Sequence, residues 1–494
     1  MSIYLLAIDQ GTTSSRAMIF KRDGSPIGQH QIDLKQYYPE PGWVEQDAEE
    51  IWQNTVICCR EALKKSGLAA SQIAAVGISN QRETTIMWDR KTGIPIYRAI
   101  VWQDRRTAER CRELSQHPIA RRLQKKTGLI LDPYFSATKI MWMLDHVRGA
   151  RELADKGDLI FGTVDTFLLW KLTQGKTHAT DATNASRTLL FNIVKQKWDD
   201  EILTAFSIPE TILPTVLDSS DDYGFTHEAI LGASIPITGV AGDQQAATVG
   251  QACFHSGMVK STYGTGCFML MNTGSRLIHS KHKLLSTVAY RLDGQVSYGL
   301  EGSIFSAGVT IKWLRDTLKL IKTAEETETL AKQLNDTESV YLVPGFTGLG
   351  APYWDPDARG ALMGLTRNSG VAHIARAALE SVCYQSRDLL HAMRQDSDTP
   401  LEVLRVDGGM VVNNWLLQFL ADMLMLKVQR PQCIETSALG AAYLAGLKVG
   451  VYDSLDEITH LWKINAEFSP KMPSSQSEYL YAGWKKAVAR VLTK

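Results

Sequence analysis

The chain has 494 residues, more than one hydrophobic core can use, since single cores stop growing at ~250–300 residues. Its 53 Lys and Arg balance 53 Asp and Glu, so no global field draws it onto nucleic acid or an anionic membrane, and any phosphate chemistry must be local. Seven scattered cysteines (Cys58, Cys59, Cys111, Cys253, Cys267, Cys383 and Cys433) without Cys-x-x-Cys or Cys/His metal spacing, no signal-like opening and no long uncharged apolar run together predict a reduced, zinc-free, soluble cytoplasmic protein without membrane insertion.

The chain opens with the apolar run Leu5-Leu6-Ala7-Ile8, followed by Asp9-Gln10-Gly11-Thr12-Thr13-Ser14-Ser15-Arg16. A strand ending at Asp9 sets a carboxylate at its tip, where it can hold Mg²⁺ through water. Gly11 permits a sharp turn, the amides and hydroxyls from Gly11 to Ser14 can face phosphate oxygens, and Arg16 adds fixed positive charge. A polar hairpin turn after a buried strand accounts for the same residues.

Ala17 to Phe20 and Ile27 to Ile32, joined by Asp23-Gly24, complete a β-meander. A helix follows, with Asp47 as N-cap, an apolar face through Ile51, Cys59 and Leu63, and Gly67 as its stop. Gly77 to Thr85 is a polar break between strand-like runs; adjacent Arg82 and Glu83 offer a donor fork and an acceptor to the hydroxyls of a polyol, although such pairs are also ordinary surface. Trp102, Tyr134 and Phe268 can wall carbon atoms or simply fill core.

Gly239 to Ala246 places Asp243 at a glycine-flanked strand-to-helix turn, as a base beside a ligand or as a helix cap. Gly257 to Met271 then repeats the opening plan of strand, glycine-and-hydroxyl turn and strand, and Asp293-Gly294 links two further strands. The chain therefore divides near residue 250 into two related mixed α/β domains, 1–250 and 251–494, each presenting one phosphate-type turn toward a shared cleft. Leu404 to Asn414 is a strand, a double-glycine turn and the start of a helix over Trp415–Met425; Gly408-Gly409 admits a flat ring close to the backbone or is a packing pair. The small residues of a last helix, Ala438–Lys448, read as close helix packing.

In this order the segments resemble the FGGY family of carbohydrate kinases over essentially the full length, and within it the members that phosphorylate glycerol. The resemblance rests on Asp9 to Arg16, Pro41 to Glu45, Asn80 to Thr85, Ala99 to Gln103, Asp132 to Ser136, Ala241 to Gln245, Tyr263 to Phe268 and Phe346 to Trp354. It implies two ribonuclease H-like domains of the actin and hexokinase ATPase type, with the active site in the cleft between them. It also implies ATP- and Mg²⁺-dependent phosphorylation of glycerol to sn-glycerol 3-phosphate, in glycerol uptake and catabolism, by a homodimer or homotetramer.

By matching position, Arg82, Glu83, Tyr134, Asp243 and Gln244 would bind the hydroxyls, with Trp102 and Phe268 against the carbons. Asp243 would be the general base and Asp9 the metal-side acid. Thr12, Thr13, Ser14, Arg16 and, from the second half, Thr265 would hold phosphates, while Gly308, Gly409 and Asn413 would surround adenosine. A kinase for another polyol or a ketose is the alternative within the family, and an actin-like ATPase acting on protein partners the one outside it. Lys312 stands where Gln is common near adenine, and Gly232-Ala233-Ser234 lacks the arginine of a loop associated with fructose 1,6-bisphosphate inhibition, which is therefore not expected.

Overall fold

The computed structural model describes residues 3–493. Its first sheet has five strands: β1 (Tyr4–Gln10), β2 (Ser14–Lys21), β3 (Pro26–Asp33), β4 (Ile73–Asn80) and β5 (Ile237–Gly242), in the order β5-β4-β1-β2-β3. Leu5, Leu6, Ala7 and Ile8 are buried on both faces, as a central strand flanked by helices requires. β1 runs antiparallel to β2 and parallel to β4, and β5 adds a further parallel neighbour.

The second sheet has seven strands: β6 (Val259–Tyr263), β7 (Cys267–Gly274), β8 (Leu285–Leu292), β9 (Gln295–Ile304), β10 (Val403–Asp407), β11 (Lys427–Pro431) and β12 (Ile464–Phe468), in the order β8-β9-β7-β6-β10-β11-β12. Here β6 plays the part of β1, antiparallel to β7 and parallel to β10, with β11 parallel beyond it. The expected repetition of plan is therefore present at the level of topology, and both glycine-and-hydroxyl turns fall at the same place, between the central strand and its antiparallel neighbour.

Helix α1 (Ala48–Ser66) starts where the side chain of Asp47 accepts from the amides of Glu49 and Glu50, and ends at Gly67 with φ +71°, a left-handed stop that favours glycine. The other helices that matter to the cleft are α2 (Asp243–Gly250), α3 (Gly308–Lys312), α4 (Val371–Asp396), α5 (Asn414–Leu424) and α6 (Thr436–Lys448). All seven cysteines are free thiols, six of them buried. No helix among the described residues is long and apolar enough to cross a membrane.

Helix α6 comes late in the chain yet packs on β1, β4 and β5 of the first sheet and crosses α2. The small residues at that crossing are obligatory. A Cβ on Gly440 would lie 1.8 Å from the Ala246 carbonyl oxygen, one on Gly250 would lie 2.0 Å from that of Thr436, and one on Gly77 would lie 2.0 Å from that of Ala441. Each neighbour is backbone, which cannot swing aside as a side chain can, so the two helices and the first sheet meet main chain to main chain. Gly440→Ala should therefore destabilise the protein by ~1–3 kcal/mol or more, the usual cost of overpacking. Unchanged unfolding in urea would contradict this close approach.

Candidate active site

Asp9 is the penultimate residue of β1 and lies directly opposite Arg16 of β2 in the ladder. The seven-residue spacing is thus a cross-strand pair, and the Arg16 guanidinium sits 2.7 Å from Asp9 Oδ2 and 2.5 Å from Glu435 Oε2, just before α6. Between the two strands, the Thr12 carbonyl accepts from Gln46 Nε2 (2.6 Å), the Thr13 carbonyl from the Leu34 amide (2.9 Å), and the Thr12 hydroxyl from Trp102 Nε1 (2.8 Å). With their carbonyls tied back, Thr12 and Thr13 keep amides that have no partner among the described residues. Such amides suit an anion.

Two details of this turn differ from expectation. Gly11 is not in the left-handed region, and a Cβ there would sit 3.4 Å from the Ser14 carbonyl oxygen, so the turn itself does not demand glycine. What its missing side chain leaves is room in the cleft. Ser14 begins β2 and its carbonyl accepts from the Gly11 amide at 3.0 Å; it shapes the turn but does not wall the cleft.

The second turn, between β6 and β7, is closed by Gly264 N–H donating to the Gly266 carbonyl (2.9 Å), and the Thr265 carbonyl accepts from Ala307 and Val309 (3.1 Å each). The amides of Thr265 and Gly266 again lack partners among the described residues. Both turns open on one cavity of about 240 Å³, with Thr12, Thr13 and Arg16 on one wall and Thr265 on the other. Arg82, Glu83, Trp102, Tyr134, Asp243, Gln244 and Phe268 complete its walls.

A second cavity of about 500 Å³ meets the first at Gly264 and Thr265 and contains Gly308, Gly409 and Asn413. The double glycine divides its duties. Gly408 has φ +91°, and a Cβ on it would collide with the Tyr263 carbonyl at 2.6 Å, whereas one on Gly409 would meet nothing within 4 Å. Gly408 is thus the packing glycine and Gly409 the one that leaves space for a ligand. Asn413 caps α5 through Oδ1, which accepts from the Leu416 amide at 2.9 Å. Lys312, at the end of α3, also lines this cavity.

Asp243, which lines the first cavity, opens α2, where Gly242 occupies the cap position. The Asp243 carboxylate is 28% exposed, with its Oδ1 3.3 Å from Arg82 Nε. Burial pushes its pKa up, while the charges of Arg82 and Lys260 pull the other way. Arg82 is not a free arm: its Nη2 donates to Glu301 Oε1 at 3.0 Å, its Nη1 also bonds Glu301, and Arg187 Nη2 donates to the same carboxylate at 2.9 Å. Arg187 Nε in turn donates to Glu83 Oε1 at 2.7 Å. Burial alone would raise the Glu301 pKa, but the Arg187 and Arg82 guanidiniums outweigh it and hold the carboxyl down to about 2.

Two arginines and two glutamates thus form a buried array that balances in charge and spans both halves of the chain. Glu83 is held within it at φ +58°, a strained conformation for a residue with a side chain. Trp102 packs edge-on against both Tyr134 (centroids 5.6 Å apart) and Phe268 (5.8 Å), and the guanidiniums of Arg187 and Arg82 lie over the Tyr134 and Phe268 rings.

Sequence reasoning missed Arg187, Glu301, Lys260 and Ser437, the last of which lines the first cavity from the start of α6. The available signal was a charge inside an apolar strand: Glu301 follows Gly299-Leu300 and Lys260 follows Met258-Val259, and a charge there must be paired.

Residues 4–250 match the model of the FGGY family of carbohydrate kinases, N-terminal domain, and residues 259–449 that of its C-terminal domain. Among relatives, a protein of Coxiella burnetii (strain RSA 331 / Henzerling II) named glycerol kinase is 60% identical over 494 residues, all of this chain and 98% of that one. Glycerol kinase 1 of Pseudomonas aeruginosa is 60% identical over 491 residues, 99% of each chain. The crystal structure of Plasmodium falciparum glycerol kinase with ADP superposes with a TM-score of 0.91 at 37% identity, covering 100% of this chain and 99% of that one. A gluconate kinase from Lactobacillus acidophilus shares the fold, with a TM-score of 0.88 at 19% identity over 100% and 99% of the two chains.

Glu301→Ala would strand two buried guanidiniums, and unfolding in urea should show a loss of ~3–5 kcal/mol. A Glu301→Ala protein as stable as wild type would mean that the array is open to water.

Proposed function

The chain belongs to the FGGY family of carbohydrate kinases, and we propose that it transfers the γ-phosphoryl group of ATP to a terminal hydroxyl of glycerol, giving sn-glycerol 3-phosphate and ADP. One observation carries this reading: the Asp243 carboxylate shares one cavity with a hydrogen-bonding and aromatic pocket and with two turns whose Thr12, Thr13, Thr265 and Gly266 amides have no partner among the described residues. The relatives named glycerol kinase support the choice of acceptor.

In the first half, residues 1–250, Arg82, Glu83, Tyr134 and Gln244 hold glycerol by its hydroxyls, and Trp102 and Phe268 face its carbons. A neutral triol offers donors and acceptors but no charge, so it needs such a mixed lining. Thr12, Thr13 and Arg16 hold phosphate oxygens, Ser14 shapes their turn, and Thr265 closes on the phosphates from the second half, 251–494. Adenosine lies in the larger cavity beside Gly308, Gly409 and Asn413, where the open space over Gly409 admits it.

Asp243 accepts the proton of the attacking hydroxyl as that oxygen bonds to the γ-phosphorus; the bond from the γ-phosphorus to the bridging oxygen breaks, and ADP leaves with the electron pair. A carboxylate whose pKa is raised by burial is a stronger base than an ordinary one, and activity falls when the pH drops far enough to protonate it. Among the described residues no three or more acids, histidines or cysteines are grouped so as to hold a metal ion by themselves. Cleft-lining Asp9 nevertheless fits Mg²⁺, which prefers one or two carboxylates plus substrate phosphates and water. When bound, the ion supplies charge compensation to the phosphate oxygens. The resemblance further supports a cytoplasmic homodimer or homotetramer.

Asp243→Asn should lower kcat by ~10²-fold or more while ATP binding is kept; near-normal kcat in a coupled ADP-release assay would remove Asp243 from its role. Gly409→Ala, which fills the open space, should raise the KM for ATP roughly tenfold and leave that for glycerol unchanged. An unaltered KM for ATP would place the adenosine elsewhere.

A further inference from the structure

Lys260 is a fully buried cation on β6 that the mechanism above does not use. Its Nζ donates to Gln244 Oε1 at 2.5 Å and to Thr262 Oγ1 at 3.0 Å. The charged groups that face it come from four different elements: Asp407 at the end of β10, Asp243 at the start of α2, Arg82 in the segment after β4, and Glu301 on β9.

An ammonium has three donors and no acceptor. Beside it, only the carbonyl oxygen of an amide is tolerated, because the –NH₂ group would set donor against donor; the amide orientation, often ambiguous, is here fixed by chemistry. Gln244 Nε2 therefore turns away from Lys260. It makes no hydrogen bond with any described residue, and Gln244 lines the cleft. Next to it, the Asp243 carboxylate is an acceptor only. The pair thus presents a donor beside an acceptor, the arrangement a reacting hydroxyl needs: its proton goes to the carboxylate while a lone pair is held by the amide.

We propose that Lys260 is a positioning residue for phosphoryl transfer, locking the Gln244 amide with its donors toward the acceptor hydroxyl and placing its ammonium beside Asp243. This role rests on the reading of Asp243 as the base that receives that proton. Burial, the largest influence on Asp243, raises its pKa; Arg82 and Lys260 oppose the rise. Removing the Lys260 charge then leaves the carboxylate protonated to higher pH.

The test compares the full-length wild type with Lys260→Met, Lys260→Arg and Gln244→Glu in glycerol-dependent ADP release across pH. Lys260→Met should raise the KM for glycerol about tenfold and shift the acid limb of kcat/KM upward by about one pH unit, the usual effect of losing a nearby opposite charge. The KM for ATP should stay within about twofold. Lys260→Arg keeps the charge and should keep the acid limb at its wild-type position, a rescue that a merely structural role would not give. Gln244→Glu offers Lys260 an ideal partner but has no N–H to donate, so it should fold normally and bind glycerol about tenfold more weakly; it also decides the amide orientation if Lys260→Met fails to fold.

An unshifted acid limb in Lys260→Met, equal shifts in the Met and Arg variants, or wild-type glycerol affinity in Gln244→Glu would overturn the role. Those outcomes assume a wild type that turns over with glycerol. A wild type indifferent to glycerol would overturn the kinase reading itself, and this role with it.

Discussion

Helices α2 and α6 cross with carbonyl oxygens packed where glycine hydrogens are the only atoms that fit, and the separation of the two sheets follows from that contact. Gly440 against Ala246 and Gly250 against Thr436 leave no room for even a methyl group. Both helices begin at the first cavity, α2 with Asp243 and α6 with Ser437. The crossing therefore does two things at once: it joins the halves at a fixed distance and aims two helix starts into the space between them. A larger residue at Gly440 would move Asp243 relative to the two glycine-and-hydroxyl turns, and about an ångström of misplacement of reacting groups is enough to cost a large factor in rate.

Charge is arranged around that geometry rather than spread over the surface. The chain is neutral overall, yet in and behind the cleft lie Arg16 between Asp9 and Glu435, Arg82 and Arg187 between Glu83 and Glu301, and Lys260 among Asp243 and Asp407. In each set a cation is compensated by at least one carboxylate from a distant part of the sequence. Buried pairs of this kind add little net stability, but they hold guanidinium and carboxylate groups in fixed orientations. Preorganised dipoles and charges are what phosphoryl transfer asks of a protein, because the reaction needs in-line placement and charge compensation more than covalent help. The halves are linked through Glu301, so relative motion of the sheets would disturb the Arg82 fork directly.

Much of this was legible in the sequence because the signals are local. Asp47 and Gly67 bracket α1, Asp23-Gly24 and Asp293-Gly294 mark hairpins, and the apolar run ending at Asp9 is a central strand. The two phosphate-type turns share a topological position for the same reason. What escaped notice is long-range. Arg82 meets Glu301 across 219 residues of sequence and Arg187 meets Glu83 across 104, and no periodicity reports such pairs. The glycines show the limit on a finer scale: Gly408 and Gly409 are neighbours of identical chemistry, and only the path of the backbone separates the packing residue from the one that opens space. Composition groups Ser14 with its hydroxyl neighbours, whereas its place at the start of β2 gives it a structural task.

If this cleft joins a γ-phosphoryl group to a primary alcohol, the products of the reaction reveal it. Incubation of the full-length protein with ATP, Mg²⁺ and uniformly ¹³C-labelled glycerol, followed by ³¹P and ¹³C NMR, should show ADP and a phosphate monoester on a terminal carbon appearing in equal amounts. ADP appearing with inorganic phosphate and unchanged glycerol would contradict it.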